Sequence, residues 1–215
     1  MGLARRPETI ADLLERLGSI PPGRVRSQPP PGTAQETDLL EAFKIGELAC
    51  ELVDGVIVEK AMGAYESLLA VVLIRYLEAF AEEKDLGLVL APDAMLRLSP
   101  GLIRAPDVSF VSWGRLPGRV FPARPIPSLV PDLAVEVLNE GNTVAEMDRK
   151  LAEYFRSGVR LVWYVNPSTR TVAVYTSPTS CLQVDESQVL DGGEVLPGFV
   201  LPVRKCFGRV TQAPQ

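Results

Sequence analysis

Apolar and polar residues follow two different spacings along the chain. A spacing of three and four residues, typical of an amphipathic helix, runs through residues 7–17 and 64–83. Short β-prone runs bounded by turn residues predict strands near 88–98, 102–112, 133–138, 159–165 and 171–177. In CELVDGVIVEK, Asp54 and Gly55 separate two further β-prone runs, which is a typical hairpin signal. The chain therefore alternates helices with strands over most of its length.

The segment after residue 138 has the best-defined helix boundaries. Thr143 and Glu146 have the spacing of a capping box, and Gly158 stands where a helix commonly ends. The apolar stripe between them consists of Val144, Met147, Leu151, Tyr154 and Phe155. A strand before this helix and the run VRLVWYV after it make a βαβ pattern. We predict an α/β (α+β) fold with a mixed β-sheet flanked by helices.

Proline content separates the N-terminal part from the rest of the chain. Residues 21–33, PPGRVRSQPPPGT, contain five prolines and two glycines, which indicates a linker or an extended polyproline II segment. We therefore assign residues 1–37 to an N-terminal helix and Pro-rich linker, residues 38–207 to the main domain and residues 208–215 to a tail.

Composition excludes several classes of chemistry. The 215-residue chain contains no histidine, which rules out His-based triads, histidine general bases and HExxH zinc sites. Its three cysteines are far apart, which argues against disulfides and structural zinc. The start, MGLARRPETIADLLERLG, lacks the apolar core of a signal peptide, and no apolar run approaches the ~20 residues that span a bilayer. We therefore expect a cytoplasmic protein. Any catalysis would have to use carboxylates, lysine, tyrosine, serine or a metal ion held by oxygen ligands.

One carboxylate stands in an unusual place. In PDLAVEVLNE, every residue from Leu133 to Leu138 is apolar except Glu136. An ionised carboxylate in a buried strand is costly unless a cation or a hydrogen bond compensates it. We therefore expect Glu136 to belong either to a functional site or to a structural ion pair with an arginine.

Two further acids and one lysine are candidates to join Glu136. Asp107 follows Pro106 at the start of a β-prone run, where a turn aspartate is the alternative interpretation. Glu66 lies on the apolar stripe of the long helix, although an acid in a first turn also suits the helix dipole. Lys150 flanks the stripe of the helix after Glu136, and an ordinary solvated lysine is its alternative. Converging carboxylates without histidine suit Mg²⁺, a hard cation that takes oxygen ligands.

The residues resemble a known family. The segments APDVSFVSW and PDLAVEVLNEGNTVAEMDRKLAEYFRSGVRLVWYVNPSTRTVAVYTSP are similar to the Uma-two family of restriction endonuclease-like proteins. With ELVDGVIVEK before them and LPGFVLPV after them, the similarity spans roughly residues 45–205. That family belongs to the PD-(D/E)XK nuclease superfamily. The resemblance therefore implies a restriction-endonuclease-like core, Mg²⁺ or Mn²⁺ as cofactor, and hydrolysis of DNA phosphodiesters.

The resemblance also implies a role for each candidate residue. The Pro-Asp pair that ends at Asp107 matches the PD part of the superfamily motif, and Glu136 matches the acid of its (D/E)XK part. The resemblance thus implies that Asp107 and Glu136 are the metal ligands. The lysine expected two residues after the second acid is replaced by Leu138, and Lys150 matches the helix lysine that is thought to substitute for it in this family. Glu66 resembles the accessory acid of the first core helix, near which many family members carry histidine instead.

The sequence thus predicts a Mg²⁺-dependent DNA endonuclease with Asp107, Glu136, Lys150 and Glu66 as its catalytic residues. Two alternatives remain: a catalytically silent nuclease-fold module that binds or regulates, and a glycosidase that uses a carboxylate pair without a metal. The net charge of −5 does not favour a tight nucleic-acid binder. Because residues 97–130 contain five arginines and one acid, we predict a local basic patch for DNA phosphates, with a solvated loop as the alternative. The sequence does not decide whether the protein forms a homodimer.

Overall fold

The computed structural model describes residues 9–44, 50–60 and 63–207, and the predicted tail lies outside this part of the chain. The helices are α1 (Ile10–Arg16), α2 (Glu36–Lys44), α3 (Ala64–Glu83), α4 (Val144–Ser157) and α5 (Val203–Cys206). The strands are β1 (Cys50–Val53), β2 (Val56–Glu59), β3 (Gly87–Leu90), β4 (Leu96–Ser99), β5 (Leu102–Arg104), β6 (Val108–Ser112), β7 (Leu133–Val137), β8 (Leu161–Asn166), β9 (Thr171–Ser177), β10 (Ser180–Asp185), β11 (Val189–Asp191) and β12 (Val200–Pro202). Within these ranges, no helix combines the length and apolar content needed to cross a membrane.

A six-stranded mixed sheet forms the centre of the fold, in the order β10-β9-β8-β7-β6-β3. Strands β7 and β8 are parallel, and the other neighbouring pairs are antiparallel. A parallel pair needs a crossover connection, which α4 supplies. This helix begins after its N-cap residue Thr143 and ends at Gly158, whose φ of 100° is the left-handed conformation that favours glycine. The predicted mixed sheet flanked by helices is confirmed.

Residues of β7 alternate between the two faces of this sheet. Leu133, Val135 and Val137 belong to the core on the α3 side, to which α3 contributes Leu69, Ala70, Leu73 and Leu77. Ala134 belongs to the opposite core, to which α4 contributes Met147, Leu151 and Tyr154. Because successive side chains of a strand point to opposite faces, Glu136 lies on the α4 side.

A smaller sheet, in the order β2-β1-β5-β4, lies beside the first, and β11 pairs with β12 in a third. The predicted hairpin is present, since residues 54–55 join β1 to β2 with φ values of 49° and 74°. The predicted strands 88–98 and 102–112 are wrong as single elements. Each is divided, so that β3 and β6 enter the six-stranded sheet and β4 and β5 the smaller one. Pro92 and Pro106 lie at the two interruptions, where the missing N–H cannot continue a ladder.

The N-terminal segment packs on the main domain. Leu13 of helix α1 and Leu17, which follows the helix, are buried in the core to which α4 also contributes. Residues 21–33, which we expected to form a linker or an extended segment, run along the first hairpin, where Val25 forms a β-bridge with Val58. The segment therefore lies against the same side of the fold as α4.

Candidate active site

Glu136 and Lys150 face each other between β7 and α4. The Lys150 ammonium lies 3.2 Å from Glu136 Oε1, and the two side chains are only 2% and 5% exposed. The Tyr154 hydroxyl, one turn further along α4, donates a hydrogen bond to the same oxygen. Residues four apart share one face of a helix, so both side chains reach the strand together. The compensation that Glu136 requires thus comes from a lysine and a tyrosine, and not from an arginine.

Asp107 lies beside Glu136 because β6 and β7 are neighbouring strands. The backbone N–H of Asp107 donates to the carbonyl of Val135, and its Oδ2 accepts the Val137 N–H at 2.7 Å. The other oxygen, Oδ1, lies 2.8 Å from the ammonium of Lys60, the residue that follows β2. Both acids of the predicted motif are therefore buried at the same place, and each carries its own lysine partner.

Glu51 of β1 and Arg104 of β5 extend this arrangement. Glu51 Oε2 lies 2.6 Å from Arg104 Nη1 and 3.4 Å from the ammonium of Lys150. Glu51 Oε1 accepts the N–H of Ala105, and Arg104 also pairs with Glu153 of α4. We call the residues at its centre the buried charge cluster, which comprises Glu51, Lys60, Arg104, Asp107, Glu136 and Lys150.

Burial and charge shift several pKa values in the cluster. Burial raises the pKa of Glu136; Lys150 opposes this shift and Asp107 adds to it. Burial acts in the same direction on Glu51, but Lys150 and Arg104 outweigh it and lower the pKa of Glu51 well below its usual range. Burial by itself lowers the pKa of Lys150, but Glu136 and Glu51 outweigh it and raise this pKa above its usual range. Lys150 is therefore a fixed positive charge at neutral pH and not a base.

The donor set of the cluster suits a hard cation. Asp107 and Glu136 offer only carboxylate oxygens, and Mg²⁺ commonly takes one or two carboxylates while keeping several water ligands. In the part of the chain that the structure describes, no group of three Asp, Glu, His or Cys side chains is placed to hold a metal ion. The two carboxylates are paired with Lys60 and Lys150, so a metal ion would have to compete with ammonium groups.

Glu66, the fourth predicted site residue, lies in the first turn of α3 and is 9% exposed. Its carboxylate folds back so closely over Gly63 that a Cβ at that position would meet it. No hydrogen bond or ion pair joins the Glu66 side chain to another described residue. This end of the helix is where the dipole favours an acid. The structure thus brings together Asp107, Glu136 and Lys150, but shows no contact between them and Glu66.

Sequence reasoning missed half of the cluster, namely Glu51, Lys60 and Arg104. Glu51 carried a usable signal, because it is the one charged residue in a short β-prone run, the same oddity that marks Glu136. Lys60 carried none, since a lysine at the end of a strand is usually solvated. Arg104 was assigned to the arginine-rich stretch and not to the site.

That arginine-rich stretch does not form one basic patch. Four of its five arginines pair with carboxylates from separate parts of the fold: Arg97 with Glu36, Arg104 with Glu51, Arg115 with Asp132 and Arg119 with Asp85. The fifth, Arg124, is exposed. The local surplus of positive charge that the sequence suggested is therefore largely neutralised by the protein itself, while contact of these arginines with DNA phosphates stays a prediction.

A groove of about 360 Å³ opens beside the cluster, at the C-terminal ends of β7 and β8. It begins at Leu138, two residues after Glu136, and its wall includes Met147 and Tyr164. The cluster does not open into this groove, because the side chains of Glu51, Asp107 and Glu136 are only 1–5% exposed.

The central mixed sheet with helices packed on it makes this an α+β protein. Residues 35–204 match the Uma2 family model, described as "Putative restriction endonuclease", and the chain belongs to this family, as the sequence predicted. A similar solved structure is a crystal structure from Anabaena variabilis, described as "a putative nuclease belonging to DUF820". It is 17% identical, covers 79% of this chain and 97% of its own, and has a TM-score of 0.66, which shows a shared fold. No curated protein matches the sequence.

Proposed function

We propose that this protein is a DNA endonuclease that hydrolyses phosphodiester bonds with the help of Mg²⁺ or Mn²⁺. One observation carries the proposal: Asp107, Glu136 and Lys150 come from three separate segments and meet in one buried place. The chain belongs to a family described in terms of restriction endonucleases, which supports nuclease chemistry at this place. Asp107 and Glu136 would hold the metal ion, since both offer oxygen ligands.

Each residue at the site has a chemical task in this proposal. When bound, the metal ion would supply Lewis-acid chemistry, polarising the phosphoryl group and lowering the pKa of water. Lys150 would stabilise the negative charge that develops on the phosphate, because its raised pKa keeps it protonated. Tyr154 would position Glu136; burial and the nearby carboxylate raise the pKa of Tyr154, so its hydroxyl remains a hydrogen-bond donor.

Lys150 also accounts for the departure at Leu138. Residues two apart in a strand face the same side, so a lysine at 138 would point towards the α4 side, as Glu136 does. Leu138 packs there against the core that α4 shares. An ammonium reaching Glu136 from the helix supplies the same charge from the opposite direction. The replacement therefore supports, and does not weaken, the assignment of Lys150.

A second candidate function is a catalytically silent module on a nuclease fold. The closed cluster favours it, because its carboxylates are buried and already neutralised by lysine and arginine. Such an arrangement is stable without any metal ion. Under this alternative the acids would serve only the fold.

Incubation with supercoiled plasmid separates the two functions. We expect the full chain to nick or linearise the plasmid with Mg²⁺ or Mn²⁺ and to be inactive with EDTA, whereas Asp107→Asn and Glu136→Gln should abolish cleavage. The matched control is Glu153→Gln, which changes an equally buried acid that pairs with Arg104 and lies outside the proposed metal site. A folded wild-type protein that fails to cleave with either metal would reject the endonuclease and support the silent module. Hydrolysis of a glycosidic bond that survives EDTA would point to the carboxylate-pair alternative.

A further inference from the structure

Lys60 occupies the position of a cation on Asp107. It directly follows β2, its ammonium lies 2.8 Å from Asp107 Oδ1, and it donates to the carbonyl of Ala105. The Lys60 side chain is only 4% exposed. Because the other oxygen of Asp107 accepts the Val137 N–H, both carboxylate oxygens are engaged. A divalent cation that binds Oδ1 must therefore compete with the ammonium of Lys60.

Lys60 pairs with fewer carboxylates than the other two cations of the cluster. Lys150 lies within 3.4 Å of two carboxylates, those of Glu136 and Glu51. Arg104 likewise pairs with two carboxylates. Lys60, by contrast, contacts a single carboxylate among the described residues, and its other partner is a backbone carbonyl. If Lys60 leaves the cluster it gives up one carboxylate contact, whereas Lys150 and Arg104 would each give up two.

The charge balance of the cluster gives a reason for a cation to leave. Its three acids and three bases, together with Glu153 on Arg104 and the Arg149 that pairs with Glu153, give a formal charge of zero, which suits a buried site without a metal ion. Adding a dication would leave a surplus of two positive charges. Withdrawal of one ammonium reduces that surplus, and the anionic phosphodiester of a substrate can balance the remainder.

We propose that Lys60 is a displaceable counter-ion, which neutralises Asp107 in the free protein, yields this position to a divalent cation and then contacts a DNA phosphate. The inference rests on the proposed function, because it requires that Asp107 binds a metal ion. A compact ammonium on a flexible four-carbon stem suits both positions, whereas a planar guanidinium would be harder to move. Lys150 differs from Lys60, because its two carboxylate partners keep it in place.

Titration of the full chain with Mn²⁺ alone tests the first half of this inference. Lys60→Met removes the charge and keeps the length of the side chain, and Lys60→Gln keeps a hydrogen-bond donor without the charge. We expect each variant to bind Mn²⁺ about tenfold more tightly than the wild type in calorimetry, because the competing ammonium is gone. Lys84→Met is the matched control: Lys84 is 52% exposed and pairs with the neighbouring Glu83, so its loss should leave Mn²⁺ affinity unchanged.

Binding of a DNA duplex tests the second half. With Ca²⁺ present to fill the oxygen site, we expect Lys60→Met to bind the duplex more weakly than the wild type. The slope of log affinity against log salt should fall by about one, as expected for the loss of one phosphate contact. Tighter metal binding combined with weaker DNA binding is a result that a purely structural lysine would not give.

The outcomes separate this inference from the proposed function. If the wild type binds Mn²⁺ and both folded Lys60 variants bind it equally or more weakly, the inference is overturned and the metal site stands. Unfolding of both variants would show that Lys60 is structural and would also overturn it. If the wild type binds no Mn²⁺ at all, the metal site itself is rejected, and with it the proposed function.

Discussion

Removing the charge of Lys150 is the most informative single perturbation of the cluster. Lys150→Met keeps a long apolar side chain in a position that is 2% exposed, but it takes away the ammonium that Glu136 and Glu51 share. Both carboxylates would then remain buried with fewer positive charges beside them. Glu51 keeps Arg104, whereas Glu136 keeps the hydroxyl of Tyr154. The loss of stability should therefore come mainly from Glu136, which is left buried with the Tyr154 hydroxyl but without its lysine.

The two distances set the size of the effect. At 3.2 Å and 3.4 Å, an effective dielectric constant of about 20 gives roughly 5 kcal/mol of attraction for each contact of Lys150. Much of this attraction is offset by the desolvation of the charges, and breaking a buried pair typically costs about 3–5 kcal/mol. Because a domain is stable by only about 5–15 kcal/mol, this loss should be plain in equilibrium unfolding.

The cost of Lys150→Met should depend on pH. In the wild type, burial already raises the pKa of Glu136, with Lys150 opposing the shift, so loss of the lysine raises that pKa further. When the pKa of an acid is higher in the folded state than in the unfolded state, where it is about 4.3 for Glu, the acid destabilises the fold. This destabilisation grows as pH rises from the unfolded-state pKa through the folded-state pKa. Protonation relieves the penalty at the acidic end of this window. The variant should therefore lie closer to wild-type stability at pH 5 than at pH 8.

Urea unfolding followed by circular dichroism measures these differences. We expect Lys150→Met to lose about 3–5 kcal/mol at pH 8, and Glu136→Gln/Lys150→Met to lose at least about 1 kcal/mol less than the sum of the single variants. Lys84→Met controls for the loss of a lysine charge at the surface. A Lys150→Met protein within about 0.5 kcal/mol of wild type, or a strictly additive cycle, would refute the buried pair.

Two further predictions follow from the contacts of α4. Lys150→Met should cleave plasmid at least about a hundredfold more slowly, because it loses a group that stabilises charge in the transition state. Adding Leu138→Lys should restore part of the rate. If a folded double variant shows no recovery, a lysine at position 138 does not place its ammonium where Lys150 does. Arg24→Gln should cost about 1.5–3 kcal/mol in urea unfolding at pH 7, because Arg24 pairs with Glu146 at 2.7 Å, and less at pH 3.5. Burial by itself raises the pKa of Glu146, but Arg24 and Lys150 outweigh it and lower that pKa. The stabilisation from the Arg24–Glu146 pair is therefore present above the unfolded-state pKa of Glu146 and is lost as pH falls. An equal cost of Arg24→Gln at both pH values would contradict this assignment.

Local signals predicted the elements of the fold well. The helix predicted at 64–83 has the same bounds as α3, and the Asp-Gly turn forms the first hairpin. Non-local contacts explain the failures. Thr143 accepts the N–H of Glu146 as predicted, but the capping box stays half closed, because the Glu146 carboxylate pairs with Arg24 from a distant part of the chain. No spacing rule within the helix could reveal that partner.

In the candidate site, too, residues with a local sequence signal could be predicted, whereas residues brought in by distant contacts could not. Glu136 could be predicted because a single acid in an apolar strand is conspicuous, and Lys150 because it flanks the apolar stripe of the next helix and matches the helix lysine of the family. Arg149, one position earlier, pairs instead with Asp54 and Glu153. Lys60 and Arg104 reach the site through the smaller sheet, whose β1–β5 pairing joins segments about fifty residues apart. The sequence carried no local sign of that pairing.

The energetic cost of the cluster bears on the choice between the two functions. A buried ion pair is often no more stable than well-packed apolar residues of the same volume, so a core that served only the fold gains little from six charged side chains. The three pairs of this cluster are also uneven, since Lys60 has one carboxylate partner whereas Lys150 and Arg104 each have two. The cation with a single carboxylate partner is the one on Asp107, the acid that we propose as a metal ligand, and this coincidence favours a site that exchanges its cation over one that keeps it.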